Sequence, residues 1–133
     1  MKSLALALAA TAAVLSSGAQ AAIQPLSVLT KKGGPLEPGT YACRQQYNPA
    51  GYTYKVVEFN SPTEYAWVHG KKKSGSMKYD AGSGRITFTG GPLGKGFEAH
   101  AGHRADGAPV IILVDTDLAP KADAYDYCTR RKG

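Results

Sequence analysis

Two histidines three positions apart, His100 and His103, are the side chains here that most invite a metal ion. In an extended segment that spacing sends the two rings to opposite faces, and only a turn would bring them together. A third ligand at metal-site spacing is missing, since His69 and Asp106 are only loose candidates, so no metal is expected. Asp115 and Asp117 flank Thr116 and could aim two carboxylates the same way for acid–base work, although a solvated loop edge is the commoner setting for such a pair. No G-x-S-x-G elbow exists, and Ser83 in Gly82-Ser83-Gly84 sits in turn chemistry. Cys43 and Cys128 serve better as a bridge than as attacking thiolates. These residues predict a non-enzymatic protein without a cofactor, with a hydrolase built on Asp115 and Asp117 as a distant alternative.

Surface chemistry is more informative. Lys71, Lys72 and Lys73 are adjacent, close to Tyr65, Trp67 and His69. Three neighbouring ammonium groups on a short connection repel one another, and an acidic partner would relieve them. Lysines at such places also discourage strand-to-strand aggregation. The set Tyr65, Trp67, His69, Lys71, Lys72 and Lys73 is therefore the expected binding edge, because Tyr and Trp offer amphipathic contact area beside the charge. The formal net charge is +6, and it falls by one if Lys2 leaves with a signal segment. That balance suits an unidentified protein or an anionic polymer of the envelope or extracellular space. An aromatic–basic recognition motif is missing, so nucleic acid is not expected.

The start of the chain explains the compartment. Lys2, the apolar run Leu4–Leu15 and the small-x-small triplet Ala19-Gln20-Ala21 match a cleaved secretory signal over residues 1–21. The run is short for a membrane span, which needs about 20 residues, and no other stretch is long and apolar enough. A periplasmic or secreted monomer without a transmembrane anchor is expected. In an oxidising compartment Cys43 and Cys128 form one disulfide. Closing a loop of that length is worth roughly 4–5 kcal/mol in the chain-entropy model.

The elements that must position these groups are short strands. In Ser74–Leu93, Met77 and Tyr79 alternate with Ser76, Lys78 and Asp80, and Ile86 and Phe88 alternate with Arg85, Thr87 and Thr89. Period two marks strands with one buried face, and Ala81-Gly82-Ser83-Gly84 supplies the turn between them. Further strands are predicted over Thr40–Gln46, Tyr52–Phe59, Glu64–His69, Gly96–Ala101, Val110–Val114 and Ala124–Arg130, with a turn at Asn48–Gly51. Residues 22–38, rich in Gly and Pro, read as an irregular N-terminal tail before the domain at 39–133. About eight short strands at such spacing predict an all-β fold, a small antiparallel meander barrel. The disulfide would staple the first strand to the last at its seam. Val110–Val114 is apolar on both faces and needs a cover, for which Ala22–Leu29 is a candidate. In the first strand Cys43 shares a face with Tyr41, whereas Cys128 lies opposite Tyr125 and Tyr127. Either a bulge shifts the register or the bridge sits on the outer face.

On Gly39-Thr40-Tyr41-Ala42-Cys43, Ser74-Gly75 with Tyr79, Gly84-Arg85-Ile86-Thr87-Phe88-Thr89-Gly90-Gly91-Pro92-Leu93 and Tyr127-Cys128, the domain resembles small exported bacterial all-β proteins of unassigned function. That resemblance implies fold and export. Ser74-Gly75-Ser76-Met77-Lys78-Tyr79 is also similar, with one residue more, to the Ser-Gly-x-x-Tyr segment of bacterial inhibitors of C-type lysozyme. Those inhibitors are exported eight-stranded barrels with a disulfide, and inhibition is the alternative function this similarity implies. Their following aromatic-x-Lys-Gly element has no counterpart, because Phe88-Thr89-Gly90-Gly91 lacks the lysine.

Overall fold

The computed structural model describes residues 25–45, 52–68, 70–121 and 124–131. The expected signal segment 1–21, the turn at Asn48–Gly51 and His69 lie outside them. A 3-10 turn at Pro25–Val28 leads into nine strands: β1 (Lys31–Lys32), β2 (Gly39–Gln45), β3 (Tyr52–Phe59), β4 (Glu64–Trp67), β5 (Lys73–Tyr79), β6 (Arg85–Phe88), β7 (Phe97–His103), β8 (Pro109–Asp115) and β9 (Tyr125–Arg130). From β2 to β9 each strand pairs antiparallel with the next in sequence, and β9 returns to β2, closing the expected barrel of eight strands. Among the described strands closure leaves no long unpaired edge to template aggregation. No helix among the described residues is long and apolar enough to cross a membrane.

Alternation fills the interior as the sequence predicts. Tyr41, Val57, Phe59, Tyr65, Met77, Ile86, Phe88, Ile111 and Leu113 form one buried cluster, with small Ala99 and Ala101 of β7 admitting the larger rings. Tyr41 meets Phe59 edge-on at 5.6 Å, and Tyr65 meets Phe88 at 4.9 Å, the arrangement that the ring quadrupoles favour. The organising hairpin turns where expected. Asp80 accepts the Gly82 N–H at 3.0 Å and the Ser83 hydroxyl at 2.8 Å, and Gly84 takes φ of +82°, which glycine tolerates without Cβ strain.

The sulfurs resolve the register conflict in a third way. Cys43 and Cys128 are directly opposed in the β2–β9 ladder, bridged, and buried inside the barrel. The ladder between these two strands runs without a shift; the irregularity lies on the other side of β2, where pairing jumps from Ala42↔Val56 to Arg44↔Tyr52. The tyrosines, not the cysteine, are on the outside. Tyr125 and Tyr127 pack on the outer face of β8 with Val110, Ile112 and Val114.

The N-terminal segment departs from the irregular tail expected. Leu26, Val28 and Leu29 cover the outer face of β8, which is the cover that face needs. β1 then adds a ninth strand outside the ring, pairing Lys31↔His103 and Lys32↔Gly102 beyond the part of β7 that β6 occupies. Leu36 packs onto the interior cluster. Two interior tyrosines hold this segment by its carbonyls: Tyr79 donates to Gly34 O and Tyr41 to Glu37 O. Backbone polar groups passing over a barrel mouth need such partners.

Candidate functional site

The meander sorts every connection to one of two rims. The start of β2, the β3–β4, β5–β6 and β7–β8 turns and the end of β9 share one rim; the β4–β5 connection carrying the three lysines belongs to the other.

On that other rim the residues of the expected binding edge take different positions, although Trp67 and Lys73 are direct cross-strand partners. Tyr65 is 1% exposed and belongs to the core. Its hydroxyl donates to Gly90 O at 2.6 Å and accepts the Leu93 N–H at 2.8 Å, so it fastens the β6–β7 connection. Trp67 is half-buried and packs against the interior cluster. The sequence put both on one strand face correctly, but that face is the inner one. Lys71, Lys72 and Lys73 are exposed, and Lys72 pairs with Glu58 at 3.2 Å. This exposed pair is weak in water.

The first rim holds the stronger site. Thr40 of β2, Arg104 of the β7–β8 turn, and Thr129, Arg130 and Arg131 at the end of β9 line an open groove of about 920 Å³. The turn is set by Asp106, which accepts the Ala108 N–H at 3.0 Å, and by Gly107 at φ of +86°. Asp106 also receives Nε and Nη2 of Arg104 at 3.2 and 3.0 Å, and Tyr127 receives Nη1 at 2.9 Å. Those bonds keep the Arg104 guanidinium fixed and raise its pKa, the Tyr127 contribution first. The Ala108 amide and then Arg104 hold the Asp106 carboxyl below its usual range. Arg130 extends past Gly39, where a Cβ would meet its Cδ at 2.8 Å, and Nη1 lies 3.4 Å from Glu37 Oε1. The other oxygen of Glu37 is 2.5 Å from His103 Nε2. Glu37 is thus engaged chiefly by the histidine and only loosely by the arginine. Burial pushes the Tyr41 hydroxyl that supports this corner up to about 12.

Arg104, Arg130 and Arg131 all line this groove, and Arg104 and Arg130 are paired with the carboxylates of Asp106 and Glu37. Each guanidinium presents a planar fork of donors that matches carboxylate or phosphate oxygens. In the sequence Arg130 and Arg131 are adjacent while Arg104 stands 26 residues before Arg130, so no linear motif joins them. The signal was available in the meander itself, which places the end of the last strand beside the turn before its neighbour.

The remaining candidates are dispersed. His100 stands on the outer face of β7, 3.9 Å from Glu98, and burial lowers its pKa; His103 faces the opposite side toward Glu37. Among the described residues no cluster of three or more His, Cys, Asp or Glu side chains is placed to hold a metal. Asp115 and Asp117 do not form a matched pair, because Asp115 Oδ1 accepts the Asp117 N–H at 3.0 Å and shapes the turn. The Ser74–Tyr79 segment lies within β5, laddered to β4 and β6, with Tyr79 turned inward to Gly34. No family model matches the chain, and no curated protein or solved structure matches it either.

Proposed function

We propose that this chain is an exported, non-enzymatic β-barrel that binds an anionic partner in the envelope or outside the cell through the groove of Arg104, Arg130 and Arg131. The observation that carries the reading is that groove: three arginines from two separated stretches converge on one open surface. Export is supported by the leader-like residues 1–21 and by the buried disulfide, which suits an oxidising compartment. The net positive charge would steer an anionic partner toward the molecule at long range.

The test is retention of the mature chain, starting at Ala22, on an immobilised polyanion eluted by salt. R104S/R131S should elute at clearly lower salt than the parent, because exposed cation contacts are screened and counted by ionic strength. K71S/K72S/K73S, on the opposite rim, should elute nearer the parent. The reverse ranking would move the site to the lysine turn. Inhibition of C-type lysozyme at micromolar protein, undiminished in R104S/R131S, would replace this reading with the inhibitor one.

A further inference from the structure

Arg104 and Arg130 are both held by carboxylates of the chain itself, and the two holds differ. Arg104 gives Nε and Nη2 to Asp106 at 3.2 and 3.0 Å and Nη1 to the Tyr127 hydroxyl at 2.9 Å. Arg130 reaches one oxygen of Glu37 at 3.4 Å, beyond the usual range for an N–H···O bond. We propose that Glu37 is a built-in competitor for the groove. Its carboxylate is shared between Arg130 and His103, and an anionic partner binds by taking Arg130 while Glu37 withdraws to His103. This inference rests on the groove reading and adds how that site is regulated.

The backbone fixes all three groups and leaves only side chains to move. Glu37 belongs to the N-terminal segment, where the Tyr41 hydroxyl donates to its carbonyl at 2.7 Å and neighbouring Leu36 packs onto the interior. His103 is anchored by β1, since the Thr30 N–H donates to its carbonyl at 3.0 Å and Lys31 is its ladder partner. The stem of Arg130 lies against Gly39, where an added Cβ would meet Cδ at 2.8 Å. Pro38 and Gly39 line the groove, so the segment that carries Glu37 leads directly into its wall.

The chemistry of the shared carboxylate sets which partner it keeps. A carboxylate only accepts hydrogen bonds, so the 2.5 Å contact between Glu37 Oε2 and His103 Nε2 puts the ring proton on Nε2. The other ring nitrogen, Nδ1, is buried and has no hydrogen-bond partner among the described residues. Glu37 therefore holds the imidazole through Oε2 and can yield Oε1. Yielding it costs little, because the side chains of Glu37 and Arg130 are 35% and 39% exposed, and a pair in that setting shifts an equilibrium by at most about fivefold. An incoming carboxylate or phosphate can meet the guanidinium fork with two oxygens, where Glu37 offers one.

The experiment titrates heparin, a polyanion, into the mature chain and its variants by calorimetry at low salt. E37Q keeps an oxygen for His103 but removes the competing charge, and should tighten heparin about threefold, within the range of an exposed pair. The same substitution in an R130S background should change affinity hardly at all, whereas a general gain of positive charge would act in both backgrounds. H103L removes the donor that keeps Glu37 from Arg130 and should weaken heparin about threefold. Adding E37Q should cancel that loss, as coupled neighbours do. No gain from E37Q, or a gain that persists in R130S, would overturn the competitor while the groove stands. An H103L loss that survives E37Q would overturn the sharing with His103; if H103L does not fold, the E37Q comparison in the two arginine backgrounds decides alone. No heparin binding by the parent, or parent-like affinity in R104S/R131S, would overturn the groove reading and the competitor with it.

Discussion

Removing the bridge with C43A/C128A tests how the barrel is closed. The two cysteines are separated by 85 residues, and in the chain-entropy model a crosslink of that span stabilises the fold by about 4.6 kcal/mol at 25 °C. Both side chains are buried in the interior, so losing two sulfur atoms adds a packing loss of about 1 kcal/mol. An expected cost of about 4–6 kcal/mol is comparable with the whole stability of a small domain, about 5–15 kcal/mol. The mechanism acts on the unfolded chain. The β2–β9 ladder, which pairs Tyr41↔Arg130 through Gln45↔Asp126, should therefore persist in the folded variant. Urea unfolding followed by circular dichroism reads both parts. The native spectrum should be retained, the unfolding free energy extrapolated to water should fall by the amount above, and the m-value should rise because the released chain exposes more surface. A loss below about 1 kcal/mol with an unchanged m-value would refute the entropic account. Closure would then rest on the strand pairing alone.

Two further substitutions probe buried polar contacts and close packing. Lys55 Nζ contacts Asp126 Oδ2 at 2.5 Å, while Oδ1 of this buried carboxylate has no hydrogen-bond partner among the described residues. K55M should cost about 2–4 kcal/mol at pH 7 by leaving the charge unpaired. Burial already raises the Asp126 pKa, against the pull of Lys55, so the variant should raise it further. A group raised in the folded state contributes stability at low pH that is lost as pH rises through the folded value. The K55M deficit should accordingly shrink on acidification, and a pH-independent deficit in thermal melts would contradict the assignment. At Gly75 an added Cβ would lie 2.5 Å from both Gly90 O and the Tyr65 hydroxyl. G75A should destabilise by about 1–3 kcal/mol through overpacking and loosen the β6–β7 connection, seen as faster amide exchange at Leu93. Unchanged exchange there would show that Tyr65 does not fasten that segment.

The class of fold was legible because strands with one wet face write their period directly into residue type. Met77 and Tyr79, and likewise Ile86 and Phe88, could be grouped on one strand face from alternation alone, and Val110–Val114 announced its need for a cover by being apolar at every position. The N-terminal segment was harder. Lys31-Lys32-Gly33-Gly34-Pro35 contains breakers and charges, and its strand exists because β7 extends beyond β6 and leaves backbone groups to pair. Its turn at Pro25–Val28 is held by apolar contact with β8, a tertiary reward that local propensity does not contain.

Sequence by itself therefore determined the all-β class, the order of strands, the partnership of the two cysteines and the positive charge. Only the tertiary structure decided which way each face points and which rim each basic stretch occupies. Alternation tells that Tyr65 and Trp67 share a side, and that Tyr125 and Tyr127 share another, but a period of two is symmetric between inside and outside. The choice fell to the long-range packing of rings, sulfurs and the N-terminal cover. That same packing set Lys71–Lys73 at one end of the barrel and gathered Arg104, Arg130 and Arg131 at the other.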